Sequence, residues 1–293
     1  MKNTRIDKIA IGAAQFGMDY GIANNSGQVS SNKIKEILKF SEKTGIKTID
    51  TAFAYGNSEE NLGLAGIEEF QIITKAPPGV LCKEDDNVIK QCLNQSLSNL
   101  KCRQIHGYLM HDATDLLGKD GDRNYKNLLK EKVNGRVKKI GVSVYQPEEI
   151  RLLLQRYELD IIQAPFNIMD NRLIESGVMD ELHALQTELH VRSIFLQGLL
   201  LMNKRDRPKT FDRWDGLWNV WDEWLKATGM TAVGACLNYA LSFKEITKVI
   251  VGVDSLQQLS EIHQSISLDD FSIPSELLIN DKMLLNPANW KEL

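Results

Sequence analysis

The sequence predicts an α/β protein of one domain over residues 1–293, a closed (β/α)8 barrel of the TIM type, on three observations. Eight short runs of β-branched or apolar residues recur along the chain. Amphipathic segments separate most of them. The first run ends Gly12-Ala13-Ala14-Gln15-Phe16-Gly17, which lacks the GxGxxG turn that usually marks a doubly wound dinucleotide-binding sheet. Eight strands alternating with helices over 293 residues is the arithmetic of the barrel.

The runs are residues 8–16, 46–51, 70–76, 106–111, 138–144, 161–166, 190–197 and 248–253. Most are continuously apolar rather than alternating, as parallel strands covered on both faces tend to be. Residues 32–44 place Ile34, Ile37, Leu38 and Phe40 near one helical face, and Gly45 follows as a C-terminal stop. Residues 86–100 place Val88, Ile89, Leu93 and Leu97 on another face. Residues 147–156 open with Pro147 in the first turn and run Ile150, Leu153, Leu154. Residues 177–188, 211–228, 231–241 and 255–266 continue the series. Trp214, Trp218, Trp221 and Trp224 share one helix face, which reads mostly as core packing.

Composition narrows the function. Charged residues make up 25% and hydrophobic residues 43%, an ordinary globular balance. The net charge is −4 and the pI about 5.8, which argues against holding nucleic acid or anionic membrane by bulk charge. No apolar run approaches the ~20 residues of a membrane-spanning helix, and residues 1–7 are polar and charged without an apolar signal core behind them. The expectation is a cytoplasmic protein. The 4 cysteines, Cys82, Cys92, Cys102 and Cys236, show no CxxC spacing, and the 5 histidines are scattered, so reduced thiols and no metal site are expected.

In a barrel of this class the chemistry lies at the C-terminal ends of the strands. Those ends carry Gln15 to Gly17, Asp50 with Tyr55 just after, Lys75, His111, Ser143, Gln163, Phe195 to Gly198, and Gly252 to Ser255. Asp, Tyr, Lys and His thus converge on one rim.

The segment Asp50-Thr51-Ala52-Phe53-Ala54-Tyr55-Gly56-Asn57-Ser58-Glu59 resembles the signature of the aldo-keto reductases. The likeness continues through Thr74-Lys75, Leu109-Met110-His111, Ile140 to Ser143, Gln163, Phe195 to Leu200, and Val249 to Glu261. The resemblance implies a barrel that reduces carbonyls with a nicotinamide cofactor. The chemistry of the four residues agrees. A carbonyl reduction needs a hydride at carbon and a proton at oxygen. Tyr55 can donate that proton, but its reference pKa of ~10 needs a neighbouring cation to bring it toward neutrality. Lys75 can be that cation, Asp50 its anchor, and His111 a hydrogen-bond donor that orients the carbonyl.

The resemblance further implies that Ser143 and Gln163 hold the nicotinamide carboxamide. Val144 stands where many relatives carry Asn, and Arg192 where many carry a Tyr against the ring. Guanidinium planes stack on rings, but a cation disfavours an oxidised, positively charged ring; Arg192 turning away to pair with an acid is the alternative. Ser193, Phe195, Leu196, Gln197 and Gly198 would follow the pyrophosphate with backbone amides. Gly252, Asp254, Ser255 and Gln258 would meet the adenosine end. No cation occurs from Gly252 to Leu259, and Ile262 replaces the usual Asn, so NADPH is the family expectation and NADH the alternative. Asp254 could accept from a ribose hydroxyl or cap the helix that Ser255 opens. Phe53, Phe166 and Trp214 are the candidate substrate walls. The expected partner is a small-molecule carbonyl, with no nucleic acid and no membrane, on a monomer or small homo-oligomer. Two other readings remain: a Schiff-base aldolase using Lys75, and a non-catalytic, cofactor-sensing subunit.

Overall fold

The computed structural model describes residues 5–24, 26–79, 87–267 and 271–293. Its eight parallel strands close into a barrel in chain order: β1 (Ile9–Gly12), β2 (Thr48–Asp50), β3 (Gln71–Ala76), β4 (Ile105–Met110), β5 (Val137–Ser143), β6 (Ile161–Pro165), β7 (Glu188–Arg192) and β8 (Ile246–Gly252). Closure comes from β1, where Ala10 stands against Thr48 of β2 on one side and Ile250 of β8 on the other. Every residue of β2 and β6 is buried, including Asp50 and Gln163, as strands covered on both faces require.

Successive side chains point to opposite faces of the sheet. One set fills the barrel: Ile73, Leu109 and Ile161 form a fully buried cluster of their own. The other set packs beneath the helices in the larger core. Gly141 is required by that closeness, since a Cβ there would lie 2.0 Å from the Ile161 carbonyl oxygen.

The helices follow the amphipathic segments. Ser31–Thr44 buries Ile34, Ile37 and Leu38, and Gly45 ends it with φ 89°, its N–H turned back to Glu42 O at 3.3 Å. Val88–Asn99 is shorter than the expected 86–100, and Asp86, like Cys82, lies outside the described residues. Pro147–Leu154 opens with Glu149 reaching back to the Gln146 N–H at 2.9 Å. Val178–Ala184, Asp215–Thr228, Ala232–Ser242 and Leu256–Gln264 complete the expected set. Trp218, Trp221 and Trp224 are buried along the third-from-last of these, as core packing requires.

Beside three single-turn helices, two longer ones have no counterpart in the sequence reading. Ser58–Ala65 buries only Leu62 among its large apolar residues, and Gly121–Val133 buries Leu128 with Asn124 and Glu131. Their apolar stripes are too thin to register as periodicity. The seventh strand also differs. It spans Glu188–Arg192, not residues 190–197, because Ser193 (φ 63°), Leu196 (φ 48°), Gln197 (φ 53°) and Gly198 (φ 91°) turn the apolar run out of the sheet. Arg192, rather than Gln197, therefore ends that strand.

Among the described residues no helix is long and apolar enough to cross a membrane. No cluster of His, Cys, Asp and Glu there could hold a metal ion, and Cys102 and Cys236 are free thiols.

Candidate active site

Tyr55 is placed by the turn that follows β2. Ala13 N–H bonds Asp50 O at 2.8 Å, Ser58 Oγ donates to Ala13 O at 2.7 Å, and Asn61 Nδ2 donates to Phe16 O at 2.7 Å. These bonds clamp the loop after β1 onto the Tyr55 turn. The backbones touch at two glycines: a Cβ on Gly17 would lie 1.8 Å from Tyr55 O, and one on Gly56 (φ 56°) 2.3 Å from Gly17 O. Only glycine permits that approach.

Asp50 ends β2 and Lys75 sits one residue from the end of β3, 4% and 1% exposed. Lys75 Nζ donates to Asp50 Oδ1 at 2.6 Å and to Thr51 O at 2.9 Å. Gln163 Nε2 donates to the other carboxylate oxygen, Asp50 Oδ2, at 2.7 Å. The Lys75 ammonium lies 5.3 Å from the Tyr55 ring centroid, and the His111 ring meets Tyr55 edge-on at 5.7 Å. Asp50, Tyr55, Lys75 and His111 are therefore one cluster.

Electrostatics set their protonation. Burial raises the Tyr55 phenol, Asp50 adds to that, and Arg192 opposes it. The phenol is thus protonated at neutral pH, and its net shift is upward, against the lowering toward neutrality expected from Lys75. Burial lowers Lys75, and Asp50 opposes the shift. Burial and the Lys75 charge push His111 down to about 4, so its imidazole is neutral, and its Nδ1 is buried without a partner.

A cavity runs from this cluster along the barrel mouth. Gly12 to Gln15, Tyr20, Asp50, Tyr55 and Arg192 line one part; Ser193, Phe195, Gln197, Gly198, Gly252, Asp254, Gln258, Glu261 and Ile262 line the rest. Ser143 ends β5 directly beside Gln163. The Gln163 side-chain oxygen is buried without a partner, as an acceptor reserved for an amide would be. Asp254 Oδ1 is likewise buried and unpartnered, and burial raises its carboxyl. Ser255 caps the Leu256–Gln264 helix, its Oγ accepting from Gln258 N at 3.3 Å. This corrects the capping role weighed for Asp254, which lines the cavity and whose carboxylate bonds the Gln258 side chain. These unfilled acceptors and the glycine-bearing turn at Gln197-Gly198 fit a nicotinamide dinucleotide.

Arg192 does not turn away to an acid. Its guanidinium lies 4.6 Å over the Tyr145 ring and donates to Val144 O at 3.2 Å and Ser193 Oγ at 3.4 Å. All three expected substrate walls are corrected. Phe166 is fully buried, stacked on Tyr239 at 5.4 Å and edge-on to Phe243 at 5.3 Å, because it points to the helix side of the sheet. Trp214 donates its Nε1–H to Asp281 Oδ2 at 2.9 Å, which holds it beneath the C-terminal segment. Phe53 is half-buried, with its N–H on Lys75 O at 3.1 Å, and does not line the cavity. Sequence reasoning missed Tyr20 and Tyr145, whose loops carry no periodic signal; Tyr20 meets the cavity because Gln197 Nε2 reaches its hydroxyl at 3.5 Å.

A closed eight-stranded barrel carries the buried Asp–Lys–Tyr–His cluster at its mouth, and the chain belongs to the aldo/keto reductase family, whose model matches residues 8–275. It is 29% identical over 185 residues to the glyoxal reductase of Bacillus subtilis (strain 168), a match spanning 60% of this chain and 63% of that protein. An aldo-keto reductase of Bacillus halodurans solved in its holo form superposes with a TM-score of 0.72 at 19% identity, covering 90% of this chain and 88% of that one. The glycerol dehydrogenase of Gluconobacter oxydans gives 0.69 at 19% identity, covering 92% and 88%.

Proposed function

We propose that this protein reduces the carbonyl of a small aldehyde, ketone or sugar to the alcohol, using NADPH or NADH, with Tyr55 as proton donor. The observation that carries the reading is the Lys75–Asp50 ion pair buried against Tyr55 and His111, beside a cavity reaching to Asp254.

When bound, the cofactor supplies a hydride to the carbonyl carbon. The chain supplies the rest. Tyr55 gives its phenolic proton to the carbonyl oxygen and recovers one from solvent. His111, neutral at working pH, donates an N–H to that oxygen and orients it. Lys75, fixed by Asp50 and Thr51 O, gives the pocket floor its cation. Gln163 Oε1 and the Ser143 hydroxyl would hold the carboxamide. Ser193, Phe195, Gln197 and Gly198 would hold the pyrophosphate, and Gly252, Asp254, Ser255 and Gln258 the adenosine ribose. The similarity to a glyoxal reductase favours short, reactive aldehydes as first substrates to try.

An aldolase would need Lys75 neutral and free to attack a carbonyl. Asp50 at 2.6 Å keeps the proton on it. The completeness of the four-residue cluster likewise favours catalysis over a purely sensing role. The deciding experiment follows consumption of NADPH and of NADH with glyoxal, methylglyoxal and glyceraldehyde. Carbonyl-dependent oxidation of either cofactor, lost in Tyr55→Phe, is expected. Absence of turnover with every carbonyl and both cofactors would overturn the proposal.

A further inference from the structure

Arg192 is a cation without a counter-ion beside an ion pair whose own charges cancel. Lys75 is matched by Asp50 at 2.6 Å. Among the described residues Arg192 forms no ion pair: its partners are a carbonyl oxygen, a hydroxyl and an aromatic face. All three are neutral, so they fix the guanidinium without quenching its charge. Its field reaches the centre, lowering Tyr55 and His111 alike. Arg192 ends β7, in register with Pro165 on β6, two residues beyond Gln163 with its unfilled amide acceptor. It lines the same cavity as Tyr55 and Ser193.

A nicotinamide ring carries a positive charge when oxidised and none when reduced. A fixed, uncompensated cation bordering its site repels the first and is indifferent to the second, and partial burial keeps water from screening that difference. Resting on the proposed nicotinamide reading, we infer that Arg192 makes this site discriminate between the two redox states of its cofactor, holding the reduced form and shedding the oxidised one. The device acts on cofactor exchange: the spent, oxidised cofactor leaves readily and the reduced form takes its place.

The test is binding, not turnover. Dissociation constants for NADH, NAD+, NADPH and NADP+ are measured at one ionic strength on the parent, Arg192→Gln and Arg192→Lys. The two forms of one cofactor share the same pyrophosphate and adenosine, so losses common to both cancel in their ratio. The parent is expected to bind each reduced form at least ~10-fold more tightly than its oxidised partner, about 1.4 kcal/mol. Arg192→Gln should shrink that ratio at least ~3-fold, and Arg192→Lys, which keeps the charge, should retain most of it. A parent ratio near one overturns the inference by itself, whether or not Arg192→Gln folds. So does a ratio in folded Arg192→Gln equal to the parent's. Failure of all four nucleotides to bind instead overturns the nicotinamide reading.

Discussion

Gln163 on β6 donates its side-chain amide to Asp50 on β2, at 2.7 Å between residues 113 apart in sequence. The bond occupies the one carboxylate oxygen that Lys75 leaves open. Asp50 is therefore held from two sides, and Gln163 serves the ion pair. Gln163→Leu should leave a buried carboxylate oxygen unpaired and cost roughly 1–3 kcal/mol of stability. Urea midpoints on parent and variant check this; an unchanged midpoint would show that the bond contributes nothing net.

Tyr55→Phe removes the proton donor and leaves the ring packed against His111. Turnover should fall at least ~10²-fold, the usual scale for general acid catalysis, with cofactor affinity nearly intact. Steady-state kinetics beside cofactor titration separates the two. Turnover within threefold of the parent, as a rough limit, would remove Tyr55 from the proton-transfer role.

Lys75→Met breaks a buried ion pair from one side. Asp50 then keeps its charge without a cation, so a loss of about 3–5 kcal/mol is expected along with activity. Asp50→Asn should cost less, because Lys75 retains Thr51 O and burial already lowers its pKa, easing loss of the unpaired charge. Thermal unfolding of both variants gives the order; Asp50→Asn falling below Lys75→Met would reverse the argument.

These residues were legible in the sequence to different degrees, and the reason is spacing. Asp50, Tyr55, Lys75 and His111 stand at or just after strand ends, so strand counting alone puts them on one rim. The barrel followed from eight apolar runs. Phe166 failed by parity: Gln163 faces the interior, and three residues further the side chain faces the helices. The Gln163–Asp50 bond and the seat of Arg192 on Tyr145 depend on which strands become neighbours and how loops fold back, which local pattern does not carry. The Gly121–Val133 helix was silent because its buried face mixes Asn124 and Glu131 with Leu128.

Acid should destabilise the fold through histidine. His111 and His106 are both pushed down, chiefly by burial, to about 4 from the ordinary 6.5. The unfolded chain then binds more protons than the folded one between those values. Their contribution is present above about pH 6.5 and is lost as pH falls toward 4, with a slope approaching ~1.4 kcal/mol per pH unit for His111 and a smaller one for half-buried His106, which water screens. Urea midpoints from pH 7 to 4 should decline, and His111→Gln should flatten part of the decline. A profile unaltered by both His111→Gln and His106→Gln would place the acid sensitivity in other groups.

The last prediction concerns which nicotinamide is preferred. NADPH carries a ribose phosphate, and a site that prefers it ordinarily meets the phosphate with Arg or Lys. The loop after β8 offers Asp254 instead, its Oδ1 buried and unpartnered at the cavity wall, with Glu261 on the same wall. An unfilled carboxylate oxygen is a ready acceptor for a ribose hydroxyl and a poor neighbour for a phosphate. NADPH should therefore bind less than ~10-fold more tightly than NADH, or ~1.4 kcal/mol, and NADH should serve. Asp254→Arg should shift preference toward NADPH by removing repulsion and adding a charged donor. Lys33, close enough for its charge to be felt at Asp254, is the cation that could oppose this. Dissociation constants for both cofactors on parent, Asp254→Arg and Lys33→Gln, at one ionic strength, separate the two residues. A parent that binds NADPH roughly a hundredfold more tightly, and loses that margin in Lys33→Gln, would assign the phosphate to Lys33 and leave Asp254 without a role in selection.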